Sequence, residues 1–137
     1  MTEINQILRY GNSLLGMELG IVSKIQDNDY EIIAIDDLSD EFKPGDILQT
    51  DNTYCIEIVR TGKTISLTDL DHQNKIQDHP LYQHKALKAY IGTPIYINDE
   101  AWGTLNFSSM LTEKPAFSDS EILLVEISAK LISNKLN

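Results

Sequence analysis

The chain has 137 residues, 42% of them hydrophobic, and carries 11 Lys and Arg against 21 Asp and Glu, a formal net charge of −10. That length and apolar content suit one compact domain with a buried core, and the negative balance repels nucleic acid and anionic membranes, so neither is expected as a partner. No apolar run reaches the roughly 18 residues of a membrane span, the start "MTEINQILRY" lacks the basic-then-apolar order of an export signal, and the single cysteine, Cys55, has no mate for an internal disulfide or a C-x-x-C motif, so the expected compartment is the cytoplasm.

Ile4, Ile7, Leu8 and Leu14 or Leu15 recur at helical spacing behind Thr2, which predicts an amphipathic helix over residues 3–15, broken by Gly16 and Gly20. "GIVSKI" and "YEIIAID" then cluster β-branched residues around the polar "QDND", the pattern of two strands and a hairpin loop. The pair Asp36-Asp37 is expected in a turn, "EFKPGD" supplies a Pro-Gly turn, and "ILQT" is a short strand. Thr53 is a cap for a helix through Ile56, Ile58 and Val59, which Gly62 stops. "TISLTDL" is another strand, and the polar segment 69–88, with Pro80, is expected to hold one short helix over Leu81–Leu87.

"KAYIGTPIYINDEAWGTLNFSS", Lys88 to Ser109, reads as two strands joined by a polar turn, with Pro94 inside the first. A proline has no N–H for a ladder, so this position must meet a bulge or an unpaired edge, and the strand is expected to be interrupted there, beside Tyr90 and Gly92. Further on, Ser118 and Glu121 form a capping box, with Phe117 and Ile122 as its hydrophobic staple, so a helix begins at Asp119. At about 100° per residue, Ile122, Val125, Ala129, Ile132 and Leu136 form one stripe of that helix, and Leu124, Ile127 and Leu131 form another roughly opposite. One face covers the sheet. The other is expected to meet the N-terminal helix and a second copy of the chain, giving a homodimer. The order of elements fits an antiparallel sheet with helices on its faces, an α+β fold in a single domain over residues 1–137.

No catalytic unit assembles from these residues. Neither a phosphate-binding G-x-x-x-x-G-K-[ST] loop nor a G-x-S-x-G elbow is present. Asp69, Asp71, His72, Asp78, His79 and His84 are ordinary metal-ligand types, but His79 and His84 are spaced so that a helix would point them to different faces, and the segment reads as a solvated acidic loop. No metal and no cofactor are expected.

The run "LKAYIGTPIYINDEAWGTLNFSS" followed by "AFSDSEILLVEISAKLIS" resembles the C-terminal half of a GAF domain, a small-molecule sensor module of bacterial signalling proteins. "LGIVSKIQDNDYEIIAI", "DNTYCIEIVRTGKTISLTDL" and "HPLYQHKAL" resemble its first strand pair, its helix with the following strand, and its pocket helix. The resemblance covers nearly the whole chain. It implies a six-stranded antiparallel sheet, a pocket on one of its faces, terminal helices that pair in a dimer, and a signalling output domain or kinase as a further partner. By position it puts Tyr54, Cys55, Ile58, Asp69, Tyr82, Leu87, Tyr90, Gly92 and Asn106 around an unidentified small-molecule ligand. The catalytic branch, the free methionine sulfoxide reductases, uses several cysteines where this chain has only Cys55, so no resolving disulfide can form and no enzymatic activity is expected. The bilin-binding branch attaches its chromophore through a cysteine in the pocket helix, where Tyr82, Gln83 and His84 stand instead. The cyclic-nucleotide signature stops at Asn74 and Lys75. A chain that only joins copies of itself, its pocket filled by its own side chains, is the remaining alternative.

Overall fold

A computed structural model describes residues 2–37, 42–49, 54–68, 87–111 and 113–136. The elements run α1 (Thr2–Leu15), β1 (Leu19–Gln26), β2 (Asp29–Asp37), β3 (Ile47–Gln49), α2 (Tyr54–Thr61), β4 (Ile65–Thr68), β5 (Ala89–Ile97), β6 (Glu100–Ser109) and α3 (Asp119–Leu136). The strands form one six-stranded antiparallel sheet in the order β3-β2-β1-β6-β5-β4. This is the α+β architecture anticipated from the sequence. Residues 81–86 of the expected helix over Leu81–Leu87 and the Thr53 cap lie outside the described residues.

Two hairpins organise the sheet, and each closes through a two-residue polar loop. Asn98 and Asp99, at φ 53° and 64°, occupy the left-handed region that joins β5 to β6, a conformation Asn and Asp adopt more readily than other non-glycine residues. Asp36 and Asp37 are not in a turn: they end β2, paired with Gly20 and Leu19 of β1. β5 is not interrupted at Pro94 either. It runs unbroken from Ala89 to Ile97, Pro94 lies opposite Thr104 of β6, and the register shift falls one residue later, between Ile95 and Tyr96. The proline is tolerated because the ladder with β4 ends at the Ile65–Gly92 pair, so an N–H on that edge would have no strand to serve.

Residues alternate between the sheet's two faces. Val22, Ile91, Ile95, Leu105 and Phe107 point to the face covered by α1 and α3, where they pack against Ile4, Leu8, Leu15, Val125, Ala129 and Ile132. α1 lies over β2, tied by Asn5 Nδ2 to the Ile35 carbonyl at 3.1 Å and Asn12 Nδ2 to the Asp36 carbonyl at 3.2 Å. The ring of Phe107 fills the space that glycine leaves at position 11, where a Cβ would stand 2.3 Å from its Cζ.

α3 starts as its capping box requires. The Glu121 N–H donates to Ser118 Oγ at 3.1 Å and the Ser118 N–H donates to Glu121 Oε1 at 2.9 Å. Partial burial alone would raise the Glu121 carboxyl, but the hydrogen bonds from Lys114 and Ser118 outweigh it and hold the group below its ordinary value of 4.5. A depressed carboxylate stabilises the fold above its unfolded value, and this contribution is lost as the pH falls through the folded value. Glu121→Gln is therefore expected to lower stability by about 0.5–1 kcal/mol at pH 7. In urea titrations the gap between the two proteins should shrink as the pH falls below 4.5; a gap that stays constant with pH would show that the charge contributes nothing.

The first stripe of α3 faces the core as expected, with Val125, Ala129 and Ile132 buried. The second is displaced by one residue. Leu124 is half-buried and packs on the core, and the exposed ridge is Leu123, Ile127 and Leu131. No described helix is long and apolar enough to cross a membrane.

Candidate functional site

α2 crosses the face of the sheet opposite α1 and α3. Its eight residues present Cys55 and Ile58 inward. Beneath them β1 contributes Ile21 and Ser23, β2 Tyr30 and Ile32, β5 Tyr90 and Gly92, and β6 Thr104 and Asn106. Gly92 is the place where this layer folds tightest: a Cβ there would lie 2.6 Å from Tyr90 Oη and 2.7 Å from Ile58 Cδ1. Tyr54 packs its ring on Tyr90 with centroids 5.0 Å apart, and Leu87 joins Ile58 and Tyr90 in the same cluster.

Between these apolar groups runs a buried network of polar atoms. Ser23 Oγ and Thr104 Oγ1 are 2.7 Å apart, and Thr104 Oγ1 donates to Cys55 Sγ at 3.3 Å. Asn106 Nδ2 donates to Tyr30 Oη at 3.2 Å and reaches Thr104 Oγ1 at 3.4 Å and Cys55 Sγ at 3.8 Å. Tyr90 Oη completes the ring around the thiol at 3.7 Å. Asn106 is 1% exposed, and its Oδ1 has no hydrogen-bond partner. Leaving a buried amide oxygen unpaired costs about 1–3 kcal/mol, so a donor brought to that atom would be rewarded. Every described group in the network is uncharged. Burial pushes the Cys55 thiol up, and the hydrogen bonds from Thr104, Tyr90 and Tyr30 offset this only in part, so at neutral pH the sulfur is a protonated thiol and a weak nucleophile.

Seven of the nine residues proposed from the sequence, Tyr54, Cys55, Ile58, Leu87, Tyr90, Gly92 and Asn106, are thus gathered on the α2 face. Asp69 and Tyr82 lie outside the described residues. Sequence reasoning missed Ser23, Tyr30 and Thr104. The signal for Thr104 was present, because "TLNFS" alternates polar Thr104, Asn106 and Ser108 with apolar Leu105 and Phe107, which marks a polar face on a buried strand.

A separate groove of about 510 Å³ opens at the sheet edge beside α3, lined by Thr64, Pro94, Tyr96, Glu126 and Lys130 among others, and it contains none of the nine.

A family model described as the GAF domain matches residues 1–136. None of the curated proteins matches the sequence. Among solved structures, the chain is similar to a methyl-accepting chemotaxis protein segment, residues 122 to 287, with a TM-score of 0.74 and 15% identity, covering 97% of this chain and 85% of that one. It is similar to the GAF domain of an Acinetobacter phosphoenolpyruvate-protein phosphotransferase, with a TM-score of 0.72 and 12% identity, covering 96% and 78%. It is also similar to a type II free methionine-R-sulfoxide reductase from Thermoplasma acidophilum, with a TM-score of 0.71 and 13% identity, covering 97% and 89%.

Proposed function

The chain belongs to the GAF domain family, and from that premise we propose that it is a non-catalytic sensory module of bacterial signal transduction. In this reading it binds a small organic molecule on the α2 face of its sheet. It acts as a cytoplasmic homodimer joined through α1 and α3, and passes its state to an output domain or kinase.

The observation that carries the ligand is the α2 face itself. It combines aromatic and aliphatic walls with a few convergent polar atoms, the usual make-up of a small-molecule site, and one of those atoms, Asn106 Oδ1, is buried without a donor. Among the described residues the groups of the network are all uncharged, which favours a ligand group that is itself uncharged and carries an N–H or O–H. The similarity to a chemotaxis protein is consistent with a signalling role.

Two other readings have specific support. The reductase neighbour points to thiol chemistry, against which stand the protonated, 2%-exposed Cys55 and the lack of any second cysteine in the sequence. The complete burial of Ile58 and Tyr90 favours a domain whose pocket is filled by its own side chains and which serves only to join chains.

Native mass spectrometry of protein isolated from its own cells, followed by a thermal-shift screen of metabolites, separates these readings. A ligand at about one hundred times its Kd adds about 2.7 kcal/mol, which raises the Tm of a domain this size by several degrees. Asn106→Leu is expected to abolish that shift while remaining folded. If no mass co-purifies and no compound shifts the Tm, the joining role takes its place. Methionine formed from methionine sulfoxide and a thiol reductant, and lost in Cys55→Ser, would establish the enzyme instead.

A further inference from the structure

α2 and α3 lie on opposite faces of the sheet, yet the segment that follows α2 reaches α3 around its edge. Because the ladder between β4 and β5 stops at the Ile65–Gly92 pair, no strand among the described residues covers the outer side of β5 beyond it, and the segment linking α2 to β4 passes across that gap. Here Thr64 Oγ1 donates to Glu126 Oε2 of α3 at 2.6 Å and lies 2.8 Å from Thr93 Oγ1 of β5. A hydroxyl has one proton. That of Thr64 goes to the carboxylate, so Thr93 is the donor in the other bond, and the chain runs from the buried strand through Thr64 to α3.

A second contact stands beside the first. Gly62, whose N–H closes α2 onto the Ile58 carbonyl at 2.8 Å, has φ 68° and lies so close to Tyr96 that a Cβ there would be 2.5 Å from the phenol oxygen. The carbonyl of the same Tyr96 accepts from Ser133 Oγ of α3 at 2.5 Å. The groove of about 510 Å³ separates α3 from this lip. Polar bonds, not close packing, therefore bridge α3 to the α2 side here, and such a bond has two distinct states, made and broken.

We propose that the Thr64–Glu126 hydrogen bond is a strut that couples the position of α2 to that of α3. Displacing α2 breaks it and frees α3, and because coupling between two sites is reciprocal, cutting it at the α3 end loosens α2. The role of this strut in signalling rests on the reading of the α2 face as the ligand side, but the coupling itself can be measured with no ligand present.

Cys55 is the reporter. It is the only cysteine, is 2% exposed, and points from α2 into the sheet face away from Glu126, so a thiol reagent reaches it when α2 lifts. Labelling with excess 5,5′-dithiobis(2-nitrobenzoic acid) is compared in the parent, Glu126→Ala, Thr64→Val, the double variant, and Lys130→Ala, which alters the same groove without touching Thr64. Stability in urea is measured for each. The expected result is a rise of about three- to tenfold in labelling rate for either strut variant, as for loss of one hydrogen bond. The double variant should rise no further, and Lys130→Ala should match the parent. Equal rates in Glu126→Ala and Lys130→Ala, additive effects in the double variant, or labelling that follows global unfolding in every variant would each overturn the strut. A blank metabolite screen leaves the labelling result standing, and unchanged labelling leaves the ligand reading standing.

Discussion

Gly103→Ala is expected to remove a large share of the stability of the domain. Gly103 sits in β6 opposite Lys24 of β1 on one side and Ile95 of β5 on the other, in the middle of the sheet. A Cβ at this position would stand 1.9 Å from the Ser23 carbonyl oxygen, 2.9 Å from the Ser23 carbonyl carbon and 3.0 Å from Lys24 Cα. All three atoms are backbone, so no rotamer change relieves the overlap. Relief requires moving β1 away from β6, across a spacing of about 4.8 Å that the ladder hydrogen bonds fix. That movement also strains the buried Ser23–Thr104 hydroxyl pair one residue on. A loss of about 3 kcal/mol or more, from a total of 5–15, is expected in urea denaturation. Gly45→Ala is the useful contrast. Gly45 has φ 96° but nothing within 4 Å of its would-be Cβ, so only the backbone conformation is penalised, at about 1 kcal/mol. If Gly103→Ala unfolds within that smaller margin, the strands are not held as closely as argued.

The same glycine shows how far the sequence could be read. Its place in "AWGTLNFSS" was visible as a motif position, and the hairpin around it was legible from alternation and the Asn-Asp turn. What alternation does not reveal is which strand backbone lies beside Gly103, because strand order is set by pairings far apart in sequence. Pro94 is a similar case. Its need for an unpaired edge was legible, but not that β4 stops short of it and leaves β5 continuous. The α3 capping box was readable to the residue because its parts are adjacent in the chain. On the α2 face, most inward positions were legible. Thr104 carried a signal in the alternation of "TLNFS", but β5 and β6 are buried on both faces over most of their length, so that alternation does not say which face meets α2. Tyr30 was hidden because its contact with Asn106 joins positions 76 residues apart. The exposed ridge of α3 was off by one residue for a related reason. Leu123 and Leu124 flank the same side of the helix about 100° apart, and which of them is covered depends on where α1 lies, not on α3 itself.

That ridge leads to the second large effect, on assembly. Leu123, Ile127 and Leu131 are 55%, 48% and 49% exposed and follow one another at four-residue intervals, while Tyr10 and Leu14 of α1 are 66% and 67% exposed. The two helices run antiparallel side by side: Glu3 of α1 pairs with Lys135 near the end of α3, and Lys114 ahead of α3 reaches the Leu15 carbonyl at the end of α1. Five large apolar side chains thus stand outward on neighbouring helices, more than scattered surface residues would supply. A two-fold axis over α3 would lay this patch on its own copy, burying the same residues twice. Ile127 is the middle residue of the ridge, so Ile127→Glu introduces two like charges into the proposed interface, one from each chain. The expected outcome is a dimer that dissociates at least about a hundredfold more readily in sedimentation equilibrium, the result of burying two unpaired carboxylates. Because Ile127 is half exposed and the buried side chains of α3 are on its other face, urea stability of the resulting monomer should stay within about 0.5 kcal/mol of the parent measured at concentrations where it too is monomeric. A parent chain that is monomeric at the highest concentration reached, or an Ile127→Glu chain that dimerises as well as the parent, would place the partner of these helices elsewhere.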